Sequence, residues 1–216
     1  MSEWVVSEHL AWIDPWMAPL FSAWGVPVSG LEVWAFVLSL GMVCLNVRVN
    51  PWGWPLAILS SLLYFLLFAR SKLYGEAVLQ LVFVALSVWG WWQWLRGPSA
   101  THQALNVQAL GRRGRWLGLV LVLLAWPVLG RLLDQVTDSD VPYLDALPTV
   151  ASLLGQWLLG RKYLENWPTW LLVNLFSMGL FGYKGLWLTV ILYGLFAALS
   201  VVGWRQWRLL MLPRHG

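Results

Sequence analysis

Ala-Leu-Ser-Val-Trp-Gly-Trp-Trp-Gln-Trp, residues 85–94, returns as Ala-Leu-Ser-Val-Val-Gly-Trp-Arg-Gln-Trp at 198–207. Eight of the ten positions are identical at a constant offset of 113 residues, and each copy closes a long apolar run, 73–95 and 186–207. Followed backwards at that offset, Phe83 meets Phe196, Val78 meets Ile191 and Gln80 meets Tyr193. Further upstream the offset changes to 116, where Asn50-Pro-Trp-Gly-Trp-Pro lines up with Asn166-Trp-Pro-Thr-Trp, Asn50 on Asn166 and Trp54 on Trp170. That slip predicts a loop three residues longer in the first half, around 69–72. Two blocks in the same order are the mark of a duplicated unit.

Composition sets the class. The chain is 59% hydrophobic and 11% charged, where soluble domains average about 25% charged. Runs this apolar belong in a bilayer. The excess of basic residues lies between the apolar runs rather than along one face, which fits orientation in a membrane and not nucleic-acid binding. Cys44, the single cysteine, lies within an apolar run and leaves no intrachain disulfide to form.

The expected fold is an all-α membrane protein with seven transmembrane helices, near 31–47, 52–69, 73–95, 116–133, 145–160, 167–183 and 185–207. Trp4, Trp12, Trp16 and Trp24, with Leu20 in the same four-residue series, predict an interfacial N-terminal helix. A first spanning helix broken by Pro15 and Pro19 is the alternative. Lack of a preceding Lys or Arg argues against a signal peptide. The chain then divides into an N-terminal interfacial segment (1–30), a first three-helix repeat (31–96), a loop with a linking fourth helix (97–134), a second three-helix repeat (135–210) and a tail (211–216). The third and seventh spans run in the same direction, so the repeat is a parallel 3+1+3 arrangement, a class in which transporters hold substrate between the repeats near the midplane. Ten Lys and Arg fall on the side opposite the N-terminus and four on its own side. The N-terminus is therefore expected outside and the C-terminus in the cytoplasm.

The absences restrict the chemistry. His9, His102 and His215 lie outside the spans, no phosphate-binding loop is present, and every Asp, Glu, Lys and Arg falls at a span end or in a loop. A charge at the bilayer centre costs about 2.5–3.5 kcal/mol on insertion scales, and relays keep such charges. Enzyme activity, a cofactor, a metal and ion coupling are not expected. What remains at depth is amide and aromatic: Gln80 in the third span, Asn174 in the sixth, Gln156 with Trp157 in the fifth, and Asn46 near the end of the first. Such amides act either as interhelical glue, at about 0.6–2 kcal/mol, or as ligand groups. Gln80, Phe83, Ser87 and Trp91 share a helical face, and Tyr193, Phe196, Ser200 and Trp204 are their counterparts. Of the 19 tryptophans, Trp89, Trp91, Trp92 and Trp94 suit an interfacial belt. Trp52, Trp54, Trp167 and Trp170 sit in the proline-interrupted duplicated setting and are candidates to line a pocket for a flat or cationic solute.

The run Arg161-Lys-Tyr-Leu-Glu-Asn-Trp167, with Trp170 and Asn174 behind it, resembles the PnuC family of bacterial nicotinamide riboside transporters. Leu73-Tyr74, Gln80 and Gly90-Trp91-x-x-Trp94 resemble that family's third-helix pattern, and the likeness covers roughly 31–210. It implies a SWEET-like fold, a homotrimer in the bacterial inner membrane, and facilitated diffusion of nicotinamide riboside, trapped inside by a cytoplasmic riboside kinase. The candidate binding residues are Gln80, Asn174, Trp170, Tyr193, Trp52, Asn46, Phe83 and Trp157. A transporter of thiamine or riboflavin, or a non-transporting scaffold, are the competing readings.

Overall fold

The computed structural model describes residues 14–23, 25–70, 74–96, 106–137, 141–183 and 187–212. Described residues are almost all helical: a single turn α1 (Asp14–Met17), a hairpin of β1 (Pro19–Ala23) and β2 (Val26–Ser29), then α2 (Gly30–Val47), α3 (Gly53–Arg70), α4 (Tyr74–Arg96), α5 (Arg112–Val136), α6 (Pro142–Gly160), α7 (Asn166–Tyr183) and α8 (Trp187–Leu210). Five of these, α2 to α5 and α8, are long and apolar enough to cross a membrane.

The N-terminal expectation is corrected. No continuous helix covers 14–29; Pro19 and Pro27, which lack an N–H, sit instead in an antiparallel hairpin whose turn contains Gly25 at φ +81°. Asp14 is tied to the far end of α3 by Arg70, at 2.8 Å. Trp4, Trp12 and Trp24 of the predicted stripe lie outside the described residues, as do His9, His102, His215, Lys72 and Lys184.

The duplication holds at a single offset. α3 and α7 begin and end 113 residues apart, so the slip to 116 and the longer loop around 69–72 are corrected. The true partners are Trp54-Pro55 and Trp167-Pro168, with Gly53 opposite Asn166. Both prolines fall in the first turn of their helix, where a missing N–H costs nothing. The preceding turns are copies of each other. Val49 and Lys162 both take φ 55°, the left-handed residue of a Schellman cap. Asn50 N–H donates to Leu45 O and Tyr163 N–H to Leu158 O, each at 2.9 Å.

Packing follows the repeat. α3 lies between α2 and α4, α7 lies between α6 and α8, and the two triplets meet where α4 packs on α6 and α2 packs on α8. These contacts close a ring of six helices. α5 packs on α6, contributes nothing to the cavity wall described below, and exposes leucines and valines such as Leu124 and Val128. Its approach strand is pinned to the α6–α7 turn: Leu164 N–H donates to Gln108 O at 2.8 Å, and Glu165 accepts from Leu110 N–H and Arg115 Nε, each at 2.9 Å.

At one end of the ring Trp54, Trp94, Trp207 and Trp167 form a buried chain. Trp54–Trp94 and Trp167–Trp207 are edge-to-face at 5.5 Å, and Trp94–Trp207 joins the pairs at 6.2 Å. Trp94 Nε1 donates to Leu159 O at 3.1 Å, and Trp207 Nε1 donates to Asn46 O at 3.0 Å. Leu159 and Asn46 are themselves repeat partners, so each half reaches into the other at the same place. Gly90 and Gly203 let the Trp54 and Trp167 rings lie against the helix backbone; a methyl at either would overlap the ring. Gly203→Ala should therefore lower stability by about 1–3 kcal/mol through overpacking. Gly179→Ala in α7, with no atom within 4 Å of the new methyl, should be neutral or stabilising by up to about 1 kcal/mol. Thermal unfolding of the purified protein in detergent compares the two; equal melting temperatures would contradict the packing.

Candidate functional site

The six-helix ring encloses a cavity of about 450 Å³, within the range of small-molecule sites. Its wall takes Glu32, Ser39 and Asn46 from α2; Ser60, Ser61, Tyr64 and Phe68 from α3; Gln80, Phe83 and Ser87 from α4; Gln156 and Leu159 from α6; Asn166, Trp167, Trp170 and Asn174 from α7; and Tyr193, Phe196 and Ser200 from α8.

Helical period explains the wall. Glu32, Ser39 and Asn46 are spaced by seven and stand on one stripe of α2. Gln80, Phe83 and Ser87, with their repeat partners Tyr193, Phe196 and Ser200, all face the cavity. The buried polar groups are partly satisfied within the wall. Gln156 Nε2 donates to Ser87 Oγ at 3.0 Å, Asn174 Nδ2 to Ser200 Oγ at 3.4 Å, and Ser39 and Ser60 share a 2.6 Å contact. Other groups have no partner: Asn166 Oδ1, Asn46 Oδ1 and Trp167 Nε1 are buried without a hydrogen bond. Buried polar atoms are rarely left so. Asn46 Oδ1 points at Gly53, while Asn166 Nδ2 is held by Tyr163 O at 2.6 Å.

The tryptophan chain closes one end, since Leu159 and Trp167 belong both to it and to the wall. Lys162, in the α6–α7 turn, sets its ammonium 4.7 Å from the Trp94 ring centroid. Burial lowers its pKa from the ordinary lysine value.

Of the residues picked from sequence, Gln80, Asn174, Trp170, Tyr193, Asn46 and Phe83 stand on the cavity. Trp52 and Trp157 do not. Trp52 is 67% exposed in the turn before α3, where its N–H is held by Asn50 Oδ1 at 3.0 Å. Trp157 is 41% exposed and packs on Tyr163, 5.9 Å away. Consecutive helix residues differ by about 100°, so turning Gln156 inward turns Trp157 outward. Trp94, placed in the belt, is 5% exposed within the chain of indoles, whereas Trp92 is exposed as a belt residue should be. Glu32, Ser39, Ser60, Ser61 and Tyr64 were not picked; the seven-residue polar spacing on α2 was the available signal.

A ring of apolar helices around an internal cavity defines a multi-pass membrane protein with a small-molecule site. Comparison with known proteins narrows this. Residues 29–209 match the model of the nicotinamide mononucleotide transporter family. The nicotinamide riboside transporter PnuC of Escherichia coli is 23% identical over 197 residues, 80% of this chain and 81% of that protein. The riboflavin/roseoflavin transporter RibM of Streptomyces davaonensis is 30% identical over 176 residues, 79% of this chain and 81% of that protein. A crystal structure of the vitamin B3 transporter PnuC superposes with a TM-score of 0.68 at 24% identity, covering 83% of this chain and 81% of that one, a likeness of fold. The chain belongs to the nicotinamide mononucleotide transporter family.

The crossed indoles give a test of the closure. Trp207→Phe removes an N–H bonded to Asn46 O, which keeps the Val49 N–H as a donor, whereas Trp167→Phe removes an N–H that has no partner. Trp207→Phe should cost about 0.5–1.5 kcal/mol more than Trp167→Phe, read as the difference in chemical or thermal unfolding. A larger loss for Trp167→Phe would contradict the assigned bonds.

Proposed function

We propose that this protein is a uniporter that carries nicotinamide riboside across the bacterial inner membrane through the six-helix cavity. Its fold in this reading is seven transmembrane helices in a parallel 3+1+3 repeat, N-terminus outside, assembled as a homotrimer. The exposed hairpin residues Leu20 and Phe21 support an interfacial place for the N-terminal segment.

One observation carries the reading: the polar groups of the cavity wall are amides, hydroxyls and one carboxylate beside aromatic faces, with no Lys or Arg among the described residues. Nicotinamide riboside has a pyridinium ring, a carboxamide and ribose hydroxyls. Aromatic faces suit the ring, and Gln80, Asn174 and Asn166 offer both donors and acceptors for the carboxamide and hydroxyls. A phosphate would need charge-assisted donors, so the nucleotide is excluded although the family bears its name. Phosphorylation by a cytoplasmic riboside kinase then traps the substrate. A second reading, transport of riboflavin, is favoured by the 30% identical relative named for that vitamin; thiamine is a further flat candidate. A scaffold would have no use for such a wall.

Gln80→Ala should weaken riboside binding by about 0.5–3 kcal/mol, measured by titration of the folded variant; unchanged affinity would remove Gln80 from the site. In liposomes the protein should level labelled riboside across the membrane and stop there. Internal kinase with ATP should produce accumulation. With the membrane potential clamped at zero, a proton or sodium gradient should drive none, and uphill uptake under that clamp would overturn the uncoupled mechanism.

A further inference from the structure

We infer that Glu32 selects the charge of the substrate, its carboxylate serving as counter-ion to a cationic ring in the cavity. The inference rests on the transport reading above and adds the residue that separates cationic from neutral flat vitamins. Glu32 is the one charged residue on the cavity wall among the described residues. The ion pairs Arg70–Asp14 and Arg115–Glu165 lie off this wall and do not include it.

Its position is built. Ser29 Oγ accepts from Glu32 N–H at 3.2 Å, closing the first turn of α2, and a first turn favours an anion. Tyr64 and Phe68 line the same cavity as Glu32, and their rings stack on each other at 5.8 Å and 18°. Glu32, Tyr64 and Phe68 therefore put a carboxylate and flat aromatic rings on one cavity wall, surroundings that suit a delocalised planar cation. The repeat partner of Glu32 is Asp145, also in a first turn, yet Asp145 is not on the wall. The acid on the cavity is thus a feature of one repeat, not a by-product of the duplication. An anion in a largely apolar wall interacts strongly because screening is weak. A cation in the cavity gives it a counter-ion, a neutral ring gives no such return, and a phosphate is repelled.

The test uses two probes of one shape: nicotinamide riboside, a cation, and its 1,4-dihydro form, which is neutral with the same carboxamide and ribose. Each is titrated against the full-length purified protein and against Glu32→Gln, with Glu32→Asp as the conservative variant. Wild type should bind the cation at least about 10-fold more tightly than the dihydro form. Glu32→Gln should remove that preference, weakening the cation about 10-fold and leaving the dihydro form within about 2-fold. Glu32→Asp should keep part of the preference. Retained binding of the dihydro form also shows that Glu32→Gln is folded. Equal weakening of both probes, or of neither, overturns the role of Glu32 while wild-type riboside binding still stands. A wild type that binds neither probe removes the transport reading, and this inference with it.

Discussion

Two indole hydrogen bonds join the halves of this protein. Trp94 from the first repeat donates to Leu159 O of the second, and Trp207 from the second donates to Asn46 O of the first. Each accepts at the C-terminal end of a helix, where carbonyls have no partner within the helix. Each of these carbonyls also accepts from the turn that follows, Asn46 O from Val49 N–H and Leu159 O from Lys162 N–H, each at 3.0 Å, and the indole fills a second acceptor position. The indole bonds also set how the triplets meet, because α4 must reach α6 and α8 must reach α2 for both to form. Gly90, Gly203 and the left-handed Val49 and Lys162 all serve that meeting: two admit the indole rings and two turn the chain within a few residues.

The cavity follows from the same closure. The helices touch tightly where the tryptophans stack and enclose about 450 Å³ beside them. Its polar groups come from all six ring helices, so a solute binding there would contact both repeats at once. Shape and polarity are thus properties of the pair rather than of either half. Among the described residues the wall has amides and hydroxyls in number but a single formal charge, which suits a polar, unphosphorylated solute.

Much of this was legible in the chain. The repeat 85–94 and 198–207 contains Trp94 and Trp207 themselves, and helical spacing put Gln80, Phe83 and Ser87 on one face that does meet the cavity. Where the reading failed, the causes are physical. Tryptophan at a helix end satisfies both an interfacial belt and a buried seam, and only packing distinguishes Trp92 from Trp94. The register of Trp54 was misjudged because Asn50 and Asn166 are identical residues in different roles, one in a turn and one opening a helix. Glu32 falls among the acids at span ends, and depth along a helix says nothing about which neighbour a side chain faces. Trp157 follows Gln156 on its helix, and that phase sends it outward, while Trp52 stands exposed in a turn.

The contact between the repeats is isologous: position for position, what the first half gives the second it receives back. Two identical subunits meeting this way would enclose a cavity with matching sides. Carrying both halves on one chain frees each side to diverge while the seam stays matched. Gln80 thus faces Tyr193 as its counterpart, Asn46 is answered by Leu159, Gly53 by Asn166, and Glu32 by an aspartate away from the wall. The outcome is a two-fold frame around a one-sided interior, able to meet the two unlike ends of an asymmetric small molecule.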